Sequence, residues 1–370
     1  MLSSSLIVGR GSEAWAFEPP QERQEYDDGL IRISSNENAR GPGPSAVDAI
    51  RGATSPRMGR GYPPDHRAEL VETISDIFGV RDENVIVGTG SGTILAGATR
   101  AFCSAARPLV TAAPTYGTPE STARRIGAGV RSIPVDASLG LDLDAMADAA
   151  SGAGMVFVCN PNNPTGTAHS ASDVETFVRY VKRDSPETAI LVDEAYIDYA
   201  HDPEVRTVAP LALEFPGVFI TRSMSKAHGM AGLRVGYAIG QPETVGRIQE
   251  AWELGSMNTL SAAAAVASLR DVDHIADERR INADIRRYTL SAFRDMGFDG
   301  PDSHTNFVFV NLGRPASRFR DACLERGVRV GRDFPPMEHS WSRISLGTRE
   351  EMETSVEVFR KVLGSATAGA

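Results

Sequence analysis

The sequence predicts an α/β protein, with a large lobe built on a mostly parallel seven-stranded sheet and a smaller α+β lobe. Two observations carry the prediction. At 370 residues the chain is too long for one simple core, which makes two lobes the default. From Val85 onward, short and nearly continuous apolar runs alternate with helical segments, the pattern of βαβ units whose strands are covered on both faces. Those runs are 85–87, 109–111, 130–134, 155–159, 190–192, 218–221 and 235–239.

Around this core the remaining elements fall in order. Residues 1–30 are polar and weakly periodic, as expected of an arm. A turn-rich stretch over 34–44 leads into a helix at 45–52, with Ser45 as its expected N-cap. A second helix is expected over 65–78, where Leu70, Ile74 and Phe78 recur at four-residue spacing. An alanine-rich, then charged, stretch at 259–296 reads as one long helix leaving the large lobe. Strands at 307–310 and 344–346 and a closing helix over 349–363 complete the small lobe. The expected division is 1–40 for the arm and part of the small lobe, 41–258 for the large lobe and 259–370 for the small one.

Composition narrows the function classes. The net charge of −10, with no basic block or basic helix, argues against a nucleic-acid partner. No stretch approaches the ~20 apolar residues of a membrane span. Cys103, Cys159 and Cys323 lack metal-ligand spacing and read as free buried thiols in a reducing, cytoplasmic setting. The segments Leu6-Ile7-Val8-Gly9 and Ala14-Trp15-Ala16 leave a trimmed export signal as the alternative, although no cationic start precedes them.

Several motifs carry chemistry. Val87-Gly88-Thr89-Gly90-Ser91-Gly92-Thr93 joins a strand to a helix, where backbone amides and the Ser91 and Thr93 hydroxyls can cradle an anion. An ordinary serine-capped glycine turn is the alternative. Tyr116, just past a strand, is either a ring that stacks on a flat ligand or a core tyrosine. In Asn160-Pro161-Asn162-Asn163-Pro164-Thr165-Gly166 the prolines restrict the backbone, so that Asn163 can present its amide. Asp193 ends the apolar run 189–192, and a buried strand-end carboxylate is expensive without a cation. A helix N-cap is the competing role for it.

Lys226 lies in Ser223-Met224-Ser225-Lys226-Ala227-His228-Gly229, with Arg234 eight residues on. Two hydroxyls and a guanidinium beside one amine suit a pyridoxal-phosphate (PLP) site, with Lys226 as the Schiff-base lysine. Asp193 would meet the ring nitrogen, and Asn163 and Tyr196 the 3-oxygen. Arg343 opens a small-lobe strand and suits a substrate carboxylate. Arg332 can serve a second anion or a surface salt bridge.

Taken together, the chain resembles the class I/II PLP-dependent aminotransferases of fold type I, and is most similar to their histidinol-phosphate aminotransferase branch. The resemblance spans 31–363 and rests on Ser34-Ser35-Asn36-Glu37-Asn38, Gly61-Tyr62-Pro63, Asn162–Gly166, Asp193–Tyr196, Ser223–Arg234 and Arg343–Thr348. It implies that Ser91, Gly92, Thr93, Ser223, Ser225 and Arg234 hold the PLP phosphate. Tyr116 stacks on the ring, and Lys226, Asp193 and Tyr196 are the catalytic set. Asn38, Arg332 and Arg343 are the expected substrate residues. Tyr62 matches a tyrosine that reaches the partner subunit's cofactor, so a homodimer is implied.

The implied reaction moves an amino group from an amino acid or related amine, histidinol phosphate among them, to a 2-oxo acid such as 2-oxoglutarate. A decarboxylase, lyase or oxidase on the same cofactor is the alternative. Departures touch the substrate side more than the cofactor side. Gly90-Ser91-Gly92-Thr93 stands where the branch usually carries Gly-Ser-Asp-Glu, and Ser256-Met257-Asn258 where Pro-Tyr-Asn is usual. Ala39 replaces a proline.

Overall fold

The computed structural model describes residues 29–55 and 66–364. The chain enters through β1 (Ile31–Ile33), α1 (Pro44–Ala53) and α2 (His66–Phe78). Then follow β2 (Val85–Gly88), α3 (Ser91–Phe102), β3 (Leu109–Ala113), α4 (Thr118–Arg125) and β4 (Val130–Pro134). Next come α5 (Leu143–Asp148), β5 (Met155–Cys159), α6 (Ala171–Asp184), β6 (Ala189–Asp193), α7 (Ala209–Glu214) and β7 (Val218–Ser223). The remainder is β8 (Gly236–Gly240), α8 (Pro242–Ala251), α9 (Thr259–Arg270), α10 (Val272–Asp295), β9 (Phe307–Asn311), α11 (Ala316–Leu324), β10 (Val328–Val330), β11 (Trp341–Ser345) and α12 (Arg349–Gly364).

Strands β2 to β8 form one seven-stranded sheet in the order β2-β8-β7-β6-β5-β3-β4. All neighbours are parallel except at β8, which runs antiparallel to both β2 and β7. The continuous apolar runs have the expected cause, because alternate residues feed cores on opposite faces. Val156, Val158, Ile190 and Val192 pack on one side, and Met155, Phe157, Ala189 and Leu191 on the other. Each such side chain larger than alanine stabilises the fold by roughly 1.5–3 kcal/mol of burial. The edge strand β4 is the exception, being only half-buried.

The smaller core gathers Ile33, Phe293, Val308, Val310, Phe319, Ile344 and Phe359. Its strands pair as β1 with β10, parallel, and β9 with β11, antiparallel. Tyr196 and Phe307 meet edge to face at 5.3 Å where the two lobes touch.

Three local expectations are corrected. Helix α1 starts at Pro44 with Gly43 as N-cap, and the Ser45 hydroxyl turns to Asp271 instead. Proline suits the first helical position because its missing N–H has no partner there anyway. The long helix expected over 259–296 is broken at Asp271, whose side chain caps α10 by accepting from the His274 amide at 3.2 Å. Helix α9 packs on α1 and α2, and its Ala264, Ala265 and Val266 join the large-lobe core. Helix α9, expected in the small lobe, thus shares the large-lobe core. No described helix is long and apolar enough to cross a membrane.

Candidate active site

Strand register decides where the chemistry collects. Gly88, Gly236 and Ser223 are neighbours across β2, β8 and β7, and Cys159, Asp193 and Thr221 across β5, β6 and β7. The turn after β2, the residues before β8 and the loops after β5, β6 and β7 thus share one sheet edge. An open α/β sheet takes its ligand at such carboxyl ends. The edge opens into a cavity of about 460 Å³ walled by Lys226, Asp193, Tyr196, Tyr116 and Asn163 in the large lobe and by Arg332 and Arg343 in the small one.

Lys226 follows β7 by three residues, and its Nζ donates to the Asn36 carbonyl at 3.1 Å. Burial is the main cause that lowers its amine to about 8, and Arg343 adds to it while Glu37 and Asp193 oppose. A larger fraction of the amine is therefore neutral and nucleophilic near neutral pH than for an exposed lysine. The chain has only two other lysines, Lys182 and Lys361.

Asp193 is the last residue of β6 and 2% exposed. Burial pushes its carboxyl up to about 6, partly offset by the Thr221 hydroxyl, which donates to Oδ1 at 2.8 Å. Among the described residues it has no salt-bridge partner. Its neighbour Glu194 is tied down, accepting from the Val208 amide at 2.7 Å, Thr207 Oγ1 at 2.8 Å and Arg222 Nε at 2.9 Å. That network holds the end of β6 in place.

Gly90, Ser225 and Arg234 meet at the turn after β2, and Ser223 lines the cavity with the latter two. Gly90 has φ 82°, and a Cβ there would lie 2.1 Å from Arg234 Nη2, so only glycine lets the guanidinium cross the turn. Arg234 itself sits in the left-handed region at φ 56° and donates to Ser225 Oγ at 3.3 Å. Strained non-glycine backbone of this kind clusters at functional sites. Ser91 and Gly92 line the same cavity.

Arg343 is the third residue of β11, not its first as the sequence suggested. Its Nη1 donates to Asn163 Oδ1 at 2.8 Å and its Nη2 to the Ser34 carbonyl at 2.6 Å, while Nε is buried without a partner. Burial lowers it to about 10. Arg332 and Arg343 both stack on Phe334, at 4.4 and 4.7 Å, so one ring spaces two cations. Tyr116 is 37% exposed on the cavity wall, so it does not fill the core.

Two expected residues are turned elsewhere. The Thr93 hydroxyl donates to the Gly90 carbonyl at 2.9 Å, closing its own helix turn. Asn38 donates to Glu278 at 2.8 Å and to the Ala227 carbonyl at 3.2 Å, and does not line the cavity. Its place is taken by Asn36, which the sequence reading passed over although it belongs to the same Asn-Glu-Asn run. The Ser34 carbonyl and Phe334 were also missed. Tyr62 lies outside the described residues.

Similarity to known proteins agrees with this geometry. The family model for aminotransferase class I and II matches residues 28–359. A histidinol-phosphate aminotransferase of Symbiobacterium thermophilum is 33% identical over 90% of this chain and 91% of its own. An aromatic amino acid aminotransferase of Nocardia farcinica is 34% identical over 88% of this chain and 89% of its own. The crystal structure of histidinol-phosphate aminotransferase from Sinorhizobium meliloti in complex with pyridoxal-5'-phosphate superposes with a TM-score of 0.83 at 27% identity, covering 91% of each chain. The fold is therefore fold type I, as the resemblance implied. The chain belongs to the aminotransferase class I and II family and is a PLP-dependent aminotransferase.

Proposed function

We propose that the chain moves an amino group from an amino acid or a related amine to a 2-oxo acid such as 2-oxoglutarate, using PLP held in the cavity at Lys226. The observation that carries this reading is the convergence of Lys226, Asp193 and Arg343 on one cavity. The relatives named above are aminotransferases, which favours transamination over the decarboxylase, lyase or oxidase chemistry of the same cofactor.

The residues fit PLP. Asp193 is a buried carboxylate in need of a cation, which a protonated ring nitrogen supplies. Ser223, Ser225 and Arg234, with the turn at Ser91 and Gly92, offer hydroxyls, a guanidinium and backbone amides to its phosphate. Tyr196 and Asn163 can meet its 3-oxygen, and Tyr116 its face. When bound, PLP acts as an electron sink beside the substrate α-carbon.

The protein's own part is positional and protonic. Arg343 orients the substrate carboxylate by exchanging its Asn163 and Ser34 acceptors for two carboxylate oxygens. Lys226 Nζ takes the proton from the substrate α-carbon as general base, and its lowered pKa keeps it neutral enough to do so. Asp193 would pair as a carboxylate with the ring nitrogen, and the Thr221 hydroxyl that donates to its Oδ1 helps to hold it in place. Arg332, across Phe334, gives a second anionic group on the donor a partner, which makes histidinol phosphate one candidate donor. A homodimer, with the partner subunit's Tyr62 at the cavity, and a cytoplasmic location complete the reading. Family resemblance supports the first, and the free buried cysteines Cys103, Cys159 and Cys323 support the second.

An amino-donor panel tests the proposal. Addition of a true donor without acceptor bleaches the PLP absorbance band, and a 2-oxo acid restores it. A product that forms without regenerable bleaching would assign a different PLP reaction.

A further inference from the structure

Asn36 sits where the small lobe meets Lys226 and Tyr196 of the cavity wall. It is 1% exposed, and its φ of 56° places it in the left-handed region that asparagine tolerates better than other side chains. Each of its polar groups is engaged. Its amide N–H donates to Ser345 Oγ at 2.9 Å, and that hydroxyl donates back to Oδ1 at 2.7 Å. Nδ2 donates to the Tyr196 hydroxyl at 3.0 Å. The carbonyl accepts from Lys226 Nζ and from Asn306 Nδ2, both at 3.1 Å.

The direction of the side-chain amide follows from this pattern. Flipped, it would aim a second N–H at Ser345 and leave the serine proton without its acceptor. Tyr196 therefore receives N–H groups from Asn36 and, at 3.4 Å, from Asn163. With both lone pairs of the phenol oxygen engaged, its own proton is the group left to point into the cavity.

We propose that Asn36 is a positioning residue: its side-chain amide sets Tyr196 as a proton donor facing the cavity, and its carbonyl holds the Lys226 amine beside it. The inference rests on the reading that Lys226 and Tyr196 face PLP. Neither bond touches the phosphate cradle, so Asn36 acts on protonation and turnover more than on the grip of the cofactor's phosphate. Its anchor, Ser345 on β11, lies two residues from Arg343, so the small lobe reaches the Lys226 amine and the Tyr196 hydroxyl through one side chain.

Two variants test it. Asn36→Gly accepts the backbone angle and keeps the carbonyl, but deletes the amide. Asn36→Asp keeps the shape and the Ser345 bond, but replaces the donor to Tyr196 with an acceptor. The readouts are the pH titration of the visible band of the PLP-loaded protein, the PLP dissociation constant, and kcat and KM for a donor. We expect Asn36→Asp to raise the apparent pKa of the band by about one unit, because a carboxylate favours protonated neighbours. Both variants should lower kcat about tenfold or more while PLP affinity and KM stay within about threefold. A normal parent band with variants that titrate and turn over like the parent would overturn the proposal alone. So would variants that lose PLP affinity and thermal stability together at unchanged kcat per loaded site. A parent protein that takes up no PLP would overturn the proposal along with the reading beneath it.

Discussion

Arg343 on β11 donates to Asn163 in the loop after β5 at 2.8 Å, so the small-lobe cation is held against the large-lobe wall by an acceptor that a carboxylate can replace. Its second Nη reaches the Ser34 carbonyl, and the two acceptors together stand where the oxygens of a substrate carboxylate would bind. Exchange of neutral acceptors for an anion strengthens both bonds. Arg343→Ala should therefore raise KM for a carboxylate-bearing donor roughly ten- to hundredfold. Arg343→Lys should recover little of it, because an ammonium lacks the planar fork. Steady-state kinetics with an unchanged KM would remove the assignment.

The carboxyl of Asp193 titrates at about 6, above the ordinary carboxylate range, because it is buried. A raised folded-state pKa means that the cofactor-free protein holds this proton more tightly than the unfolded chain does. Its stability should therefore fall as pH rises from about 4 to about 6, by at most on the order of 2–3 kcal/mol from this group. Asp193→Asn should abolish that component in ligand-free melts. The same variant should lower kcat about a hundredfold, since it cannot pair with a cationic ring nitrogen. An identical pH dependence of the melting temperature in parent and variant would contradict the burial argument.

Loading depends on the amine. With Lys226 at about 8, its neutral fraction grows as pH rises towards and through that value. The rate at which PLP associates with cofactor-free protein should rise about tenfold per unit below pH 8 and level off above it. Stopped-flow absorbance reads this directly. A profile with its midpoint near the ordinary lysine range would show that burial does not depress the amine.

The proposed role of Arg332 gives a test across donors. Arg332→Ala should weaken a donor that carries a second anion about tenfold in kcat/KM and leave a donor without one nearly unchanged. Equal effects on both would assign Arg332 to general packing against Phe334.

Much of the large lobe was legible because its strands are buried on both faces. The run 155–159, for example, coincides with β5 to the residue. Asp193 stood out because a charged residue at the end of an apolar run needs a partner, and Lys226 because two hydroxyls and a guanidinium flank it; the structure brings both to one cavity. Asn36 and Asn38 were not separable in this way. They lie two residues apart in an irregular stretch, and only distant groups decide between them. Glu278, 240 residues further along the chain, draws Asn38 outward, while Ser345 and Tyr196 hold Asn36 inward. The break at Asp271 was hidden for a similar reason. Its aspartate reads as one more charge on a charged helix until its side chain is seen to cap the next turn.

The central claim is that Lys226 is the lysine that bonds the cofactor, and a chain with three lysines makes the measurement clean. Borohydride reduction of the PLP-loaded protein, followed by proteolysis and mass spectrometry, should place a single pyridoxyl group on the peptide that contains Lys226. The group on Lys182 or Lys361 instead, or its absence from all three, would contradict the account.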